Sequence, residues 1–206
     1  MPKKEAPLEY LRQFIPGEAA PLALEYLNHY QVHLTITRER KSVLGDYRHA
    51  ISGKNHRISV NGNLNSYSFL ITLIHELAHL VTFMEFGNRV QSHGKEWKGV
   101  YRKMLEDFIR LSVFPSDILA ALKKSLHDLP ASSCADEGLM RILKRYDKNA
   151  GDMLLVEQIP EGGCFSLEDK RVFRKGKKLR KRYQCIELAT GKLYLFSPIY
   201  EVKPAS

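Results

Sequence analysis

The stretch from Ser66 to Phe86 constrains the fold of this chain more than any other. It is apolar around most of a helical circumference, yet it carries two histidines and a glutamate at its middle. Phe69, Leu70, Leu73, Leu77, Leu80, Val81 and Met84 predict a buried helix over about 66–86, capped by Asn65 or Ser66 and stopped at Gly87-Asn88. A helical residue advances by about 100°, so His75 and His79 stand about 40° apart, one turn from each other, and their imidazoles can grip one ion. Glu76 projects beside that face, where its carboxylate can take a proton from metal-bound water. Burial strengthens the field of a bound cation and holds its ligands in position.

A catalytic zinc site usually has three protein ligands and one open position. The downstream candidates for the third ligand are Glu85, His93 and Glu96. Glu85 points about 120° away from His79 and is poorly aimed. His93, in Ser92-His93-Gly94, sits where the loop after Gly87 turns into the next helix, so it can swing back against the first. The adjacent glycine allows a close backbone approach. Glu96 competes from the opening turn of that helix, as a ligand, a cap or a support; if it bound together with His93, the site would be closed and structural.

The pairing of His75-Glu76-Leu-Ala-His79 with Ser92-His93-Gly-Lys-Glu-Trp97 resembles the SprT-like family of zinc metalloproteases, which includes the Spartan-type proteases of DNA–protein crosslinks. The resemblance covers about residues 20–130. It implies that His75, His79 and His93 hold one zinc ion, that Glu76 is the general base, and that the fold is a small zincin-like one. It also implies that a strand ahead of the helix, taken as His56–Val60, binds an extended substrate by β-addition.

The rest of the chain fits an α+β protein: a zincin-like domain of helices and a short mixed or antiparallel sheet over 1–130, a connector over 131–150 with a helical turn at Leu139–Tyr146, and a small β-rich module over 151–206. Two short helices divided by Pro16-Gly17 precede an alternating strand from Val32. A hairpin of Asp46–Ser52 and His56–Val60 turns at Gly53-Lys54-Asn55, with His33, His49 and His56 facing solvent. Trp97, Val100, Tyr101, Met104, Leu105 and Phe108 make Glu96–Arg110 an amphipathic helix, and Pro115-Ser116 starts another that ends near Leu129-Pro130, with His127 at its C-terminus. Short strands follow at Met153–Ile159, Cys164–Leu167, Val172-Phe173, Arg182–Leu188 and Leu193–Phe196.

Many SprT-like proteins continue into a zinc ribbon with two CxxC pairs. Here Cys164-Phe-Ser-Leu167 and Cys185-Ile-Glu-Leu188 keep one cysteine each, which suggests a degenerate ribbon packed by apolar contacts, its cysteines small buried hydrophobes. Three widely spaced cysteines, with Cys134 the third, argue for a reducing, cytoplasmic compartment, nucleoid association included. The N-terminus leads into no apolar signal core, and the run Phe69–Ile74 is too short for a membrane span, so no membrane partner is expected.

The formal charge of +9 favours a polyanionic partner. It is densest at Lys170, Arg171, Arg174, Lys175, Lys177, Lys178, Arg180, Lys181 and Arg182, nine of thirteen residues, with Phe173 and Tyr183 at hand for base stacking. Two functions follow. One is a zinc endopeptidase with protein substrates, held near DNA by contacts without sequence preference. The other is a non-catalytic nucleic-acid-binding protein braced by a structural zinc.

Overall fold

The protein is described by a computed structural model over residues 8–40, 43–51, 54–126, 136–147 and 153–205. Two compact units, 1–147 and 148–206, divide the chain. The architecture is α+β.

In the first unit, 3-10 turns at Leu8–Gln13 and Gly17–Ala19 lead into α1 (Ala20–His29). Strands β1 (His33–Thr37), β2 (Gly45–Arg48) and β3 (Arg57–Asn61) form a mixed sheet in the order β1-β3-β2, with β1 parallel and β2 antiparallel to β3. Of the hairpin turn, Ser52 and Gly53 lie outside the described residues. Leu34, Ile36, Ile58 and Val60 alternate onto the face that meets the core. Because β3 is the central strand, both of its edges are already paired, so it cannot accept a substrate strand as expected for His56–Val60.

Helix α2 (Ser66–Phe86) is the core element, with every residue from Ser68 to Thr82 except His79 buried. By length and composition Ser66–Arg89 could cross a membrane, but 72% of its apolar window is buried inside the protein. The last turn outruns the core, so Met84, expected inside, is 52% exposed. Helices α3 (Lys95–Arg110) and α4 (Ser116–Ser125) follow, and α3 buries Trp97, Tyr101, Met104, Leu105 and Phe108. His127, Leu129-Pro130 and Cys134 lie outside the described residues.

Within the span expected to be a connector, α5 (Glu137–Lys144) buries Leu139 and Leu143 in the same core as α2. Asp136 caps it by accepting from the Leu139 N–H at 3.0 Å. Its short amphipathic pattern reads as a loose helical turn until the surface it packs on is known.

The second unit is a six-stranded antiparallel sheet in the order β4-β9-β5-β6-β7-β8. The strands are β4 (Leu154–Leu155), β5 (Cys164–Ser166), β6 (Val172–Leu179), β7 (Arg182–Glu187), β8 (Leu193–Phe196) and β9 (Glu201–Ala205). Phe165, Phe173, Cys185, Phe196 and Val202 form its core with Val156 and Ile159.

Three strand expectations differ. The strand expected over Met153–Ile159 stops after Leu155, where the Gln158 side-chain oxygen accepts from the Leu155 N–H at 2.7 Å and closes a 3-10 turn. β6 continues through the basic run to Leu179 because pairing with β7 outweighs the weak strand propensity of lysine and arginine. β9 was not anticipated. Its Pro204 stands beyond the two residues that β4 pairs, where among the described residues one edge has no strand partner and proline is tolerated in a strand.

Asn65 ties the start of α2 to the end of α5. Its side-chain oxygen accepts from the N–H groups of Tyr67 at 3.1 Å and Ser68 at 2.9 Å. Its amide nitrogen donates to the Leu143 carbonyl at 2.9 Å and to Asp147 Oδ1 at 2.6 Å. Asn65→Ala removes the cap and the donor to the buried Leu143 carbonyl, and should cost about 2–3 kcal/mol in urea unfolding. Asn65→Ser, which keeps the cap, should cost about 1 kcal/mol less.

Candidate metal centre

The helical period brings His75 and His79 onto one face of α2, and the loop before α3 returns His93 to the same point. His93 adopts φ 60°, the left-handed region uncommon for a non-glycine residue. Gly94 follows it at the N-cap of α3, where a Cβ would come within 2.9 Å of the Gln91 carbonyl oxygen. The loop therefore needs glycine there.

The three Nε2 atoms lie 3.2 Å (His75–His79), 2.9 Å (His79–His93) and 3.1 Å (His75–His93) apart. A ring nitrogen is either a donor or an acceptor, so three mutual contacts cannot all be hydrogen bonds. Tetrahedral coordination with Zn–N near 2.0–2.1 Å places ligand nitrogens about 3.3 Å apart, close to this triangle. The donor set fits a single cation. Glu85 is exposed, and Glu96 lies outside the group of donors that converge.

Trp97 backs all three imidazoles, with ring centroids 4.7 Å from His75, 5.2 Å from His79 and 4.7 Å from His93, and Tyr101 stacks behind it at 4.9 Å. The sequence identifies Trp97 as core; the structure also makes it the wall that orients the triad. Burial, with the neighbouring imidazoles adding to it, depresses the pKa of His75 to about 3. Burial and His93 bring His79 down to about 4, and burial lowers His93. All three rings are therefore neutral at pH 7, with lone pairs available to a metal. His75 Nδ1 is buried without a protein partner.

Glu76 meets β2. Antiparallel pairing alternates, and the Asn61 N–H donates to the Leu44 carbonyl, so Gly45 and Tyr47 direct their own N–H and C=O groups to the open edge. The Tyr47 N–H donates to the Glu76 carboxylate there. A Cβ on Gly45 would lie 2.7 Å from Glu76 Oε1 and 2.8 Å from Thr72 Cγ2, so only glycine lets strand and helix approach this closely. Burial first, then the charge of Asp46, raises the Glu76 pKa to about 8, against the opposing pull of Arg40 and the Tyr47 N–H. Arg40 is held by Asn61 Oδ1 at 2.8 Å and Ser59 Oγ at 3.0 Å. Sequence reading missed Gly45, although a glycine opening a strand signals close approach; nothing in the sequence marks the Tyr47 backbone.

Residues 20–116 match the model of the SprT-like family. The match covers just under half of the chain. It runs from α1 to the first residue of α4 and contains the triad, Glu76 and the mixed sheet. The chain is similar to Protein SprT of Pseudomonas putida, 49% identical over 35 residues, which are 17% of this chain and 21% of that protein. It is also similar to the proteins of that name from Pseudomonas fluorescens, 46% over 43 residues, and Glaesserella parasuis, 48% over 42, each 20% of this chain and 26% of the relative. The chain thus spans about a fifth to a quarter of the length of these curated relatives. No solved structure gives a significant match.

In the second unit, Cys164 pairs across from Arg174 and Cys185 from Lys175, adjacent positions on β6, so the two cysteines face opposite sides of the sheet and cannot share an ion. Lys175 is not available to a nucleic acid. It is 5% exposed, its Nζ donates to the Glu157 carbonyl at 3.1 Å and to the Ile159 carbonyl, and it lies 4.1 Å from the Tyr183 ring centre. Arg171 pairs with Asp169 at 2.8 Å and Glu187 at 3.8 Å. Phe173, expected to stack on bases, is wholly buried against Phe165 and Phe196. Lys170, Arg174, Lys177, Lys178, Arg180, Lys181 and Arg182 are exposed on or beside the β6–β7 hairpin.

The pKa shifts predict how a chelated chain responds to pH. His75 and His79 sit near 3 and 4 against 6.5, so the unfolded chain binds protons that the folded chain refuses; their contribution is complete above about pH 6.5 and is lost as the pH falls toward 4. Glu76, near 8 against 4.5, acts with the opposite sign: its contribution is complete below about pH 4.5 and lost as the pH rises through 8. Urea unfolding in chelator from about pH 4.5 to 9 should show stability falling on both sides of a maximum. Glu76→Gln should flatten the alkaline limb; an unchanged limb contradicts the burial assigned to Glu76.

Proposed function

We propose that this chain is a zinc-dependent endopeptidase that acts on proteins bound or crosslinked to DNA. The observation that carries the reading is the convergence of three imidazole nitrogens beside a buried carboxylate at the open edge of a strand. His75, His79 and His93 would hold the ion, which when bound lowers the pKa of a coordinated water to about 7 and polarises a carbonyl. Among the described residues three donors converge and Glu96 is not one of them, which would leave a coordination position for chemistry and favours the enzyme over a structural zinc.

Glu76 is the proton acceptor. Its lifted pKa suits a base that must take and return a proton near neutral pH, and a cation held beside it would favour the ionised form. The Tyr47 N–H fixes the direction of its carboxylate. An extended substrate would pair with β2 rather than with β3, using the outward backbone groups of Gly45 and the Tyr47 carbonyl. The SprT-like match and the relatives named Protein SprT support a peptidase of this kind.

DNA association rests on the exposed cations of the β6–β7 hairpin, whose charge density would engage phosphates without reading bases. The excess of basic residues across the chain, +9 in all, agrees with a polyanionic partner. Localisation beside DNA in the cytoplasm follows from the same reading.

Glu76→Gln should keep one zinc per chain by metal analysis while lowering cleavage of a DNA-bound protein about 10²–10⁴-fold. Equal activity in wild type and variant would sink the proposal. Replacing Lys177, Lys178, Arg180 and Lys181 by glutamine should weaken DNA binding and flatten its salt dependence by about one unit of log–log slope per phosphate contact removed. An unchanged slope assigns DNA binding elsewhere.

A further inference from the structure

Strand β8 (Leu193–Phe196) closes one side of the six-stranded sheet, and among the described residues nothing pairs with its outer edge. The Glu187 N–H donates to the Lys192 carbonyl, so in this antiparallel pair the bonded positions on β8 are Lys192, Tyr194 and Phe196. Leu193 and Leu195 therefore direct their N–H and C=O groups outward, two full sets of unpaired ladder groups in register. The same two residues are 59% and 56% exposed.

Side-chain alternation places Leu193 and Leu195 on the outer face of the sheet with Ile186, 43% exposed, and Leu188, 46% exposed. Sheet edges are ordinarily blunted by an internal charge, a proline or a bulge. β8, Leu-Tyr-Leu-Phe, has none of these. An apolar face continuous with an open edge is what strand addition uses: backbone bonds supply affinity and alternate side chains supply selectivity.

Charge selects the occupant. Arg174 lies in the same cross-strand row as Ile186 and Leu193, exposed Lys192 opens the strand, and Arg182 stands one residue beyond the Tyr183–Phe196 pair. The outer-face positions of β5, β6, β7 and β8 fixed by the pairing register carry no carboxylate, and the exposed Glu201 lies on β9, with three strands between it and β8. Residues 148–206 hold twelve Lys and Arg against seven Asp and Glu, so pairing of two copies edge to edge would bring like charges together. We propose that β8 is a docking edge for an extended acidic polypeptide segment whose apolar side chains alternate onto Ile186, Leu193 and Leu195. This surface is distinct from the histidine site and does not depend on it.

The test uses the full chain, 15N-labelled, and a fluorescein-labelled ten-residue peptide in which glutamate alternates with valine. Binding by anisotropy should weaken at least tenfold between low and high salt, and the peptide should slow hydrogen exchange of the Leu193 and Leu195 amides while leaving that of Tyr194, already bonded to β7, unchanged. Leu195→Pro removes an outward N–H without removing a bond to β7, and Leu195→Glu places a like charge on the exposed face; each should weaken binding at least tenfold. The second variant keeps the test decisive should the proline variant fail to fold. The proposal is overturned if the peptide does not bind, if a peptide with lysine in place of glutamate binds as well, or if both variants bind like wild type. It is equally overturned if ten-residue oligo-dT protects the same two amides, or if the chain self-associates through them.

Discussion

Everything in the first unit depends on placing two imidazoles and a carboxylate inside a helix that is otherwise buried in hydrocarbon. Leaving polar groups in such a place is costly unless they gain partners. The chain meets this cost by convergence: His93 is brought from another element to the point where His75 and His79 already meet, and Glu76 is given the Tyr47 N–H and the field of Arg40. Burial is also what makes the arrangement chemically useful. It keeps the imidazoles neutral and lifts the carboxyl toward neutrality, in opposite directions for opposite charge types but from one cause.

Rigidity around the site comes from unlike devices acting on one helix. Asn65 anchors its start to α5, Trp97 backs the histidines from α3, and Gly45 lets β2 lie against Thr72 and Glu76. Each acts at short range, so a small displacement in any of them reaches the histidines or Glu76 directly. The second unit shows the other use of a sheet. Phe165, Phe173 and Phe196 turn inward to make a core with Val156, Ile159 and Val202, while Ile186, Leu193, Leu195 and most of its cations turn outward, which divides the basic run into structural members such as Lys175 and surface members such as Arg180.

Much of the first unit was legible because strong periodicity and cap chemistry agreed. The helix from Ser66 to Phe86, a cap at Asn65 or Ser66, its Gly87 stop and the core stripe of Trp97 to Phe108 follow from spacing and residue type, and the structure selects Asn65 as the cap. Weak signals failed where tertiary partners decide. Leu139 and Leu143 form too short a pattern to announce a packed helix, Glu201–Ala205 carries no alternating pattern that announces a strand, and the charges of β6 hide its length. Phe173 looked available to a nucleic acid because a local pattern does not say which face of the sheet is covered.

The sequence by itself determined the chemistry of the candidate site: two histidines and a glutamate at helical spacing, with a third histidine beside a glycine, because a 3.6-residue period converts spacing into direction. Only the tertiary structure decided that His93 rather than Glu96 joins the other two, since this depends on a left-handed turn and on the path of α3. It also decided that β2, not β3, offers the open edge beside Glu76. Strand order is a long-range property, set by which strands meet across loops, and no local pattern in the chain encodes it.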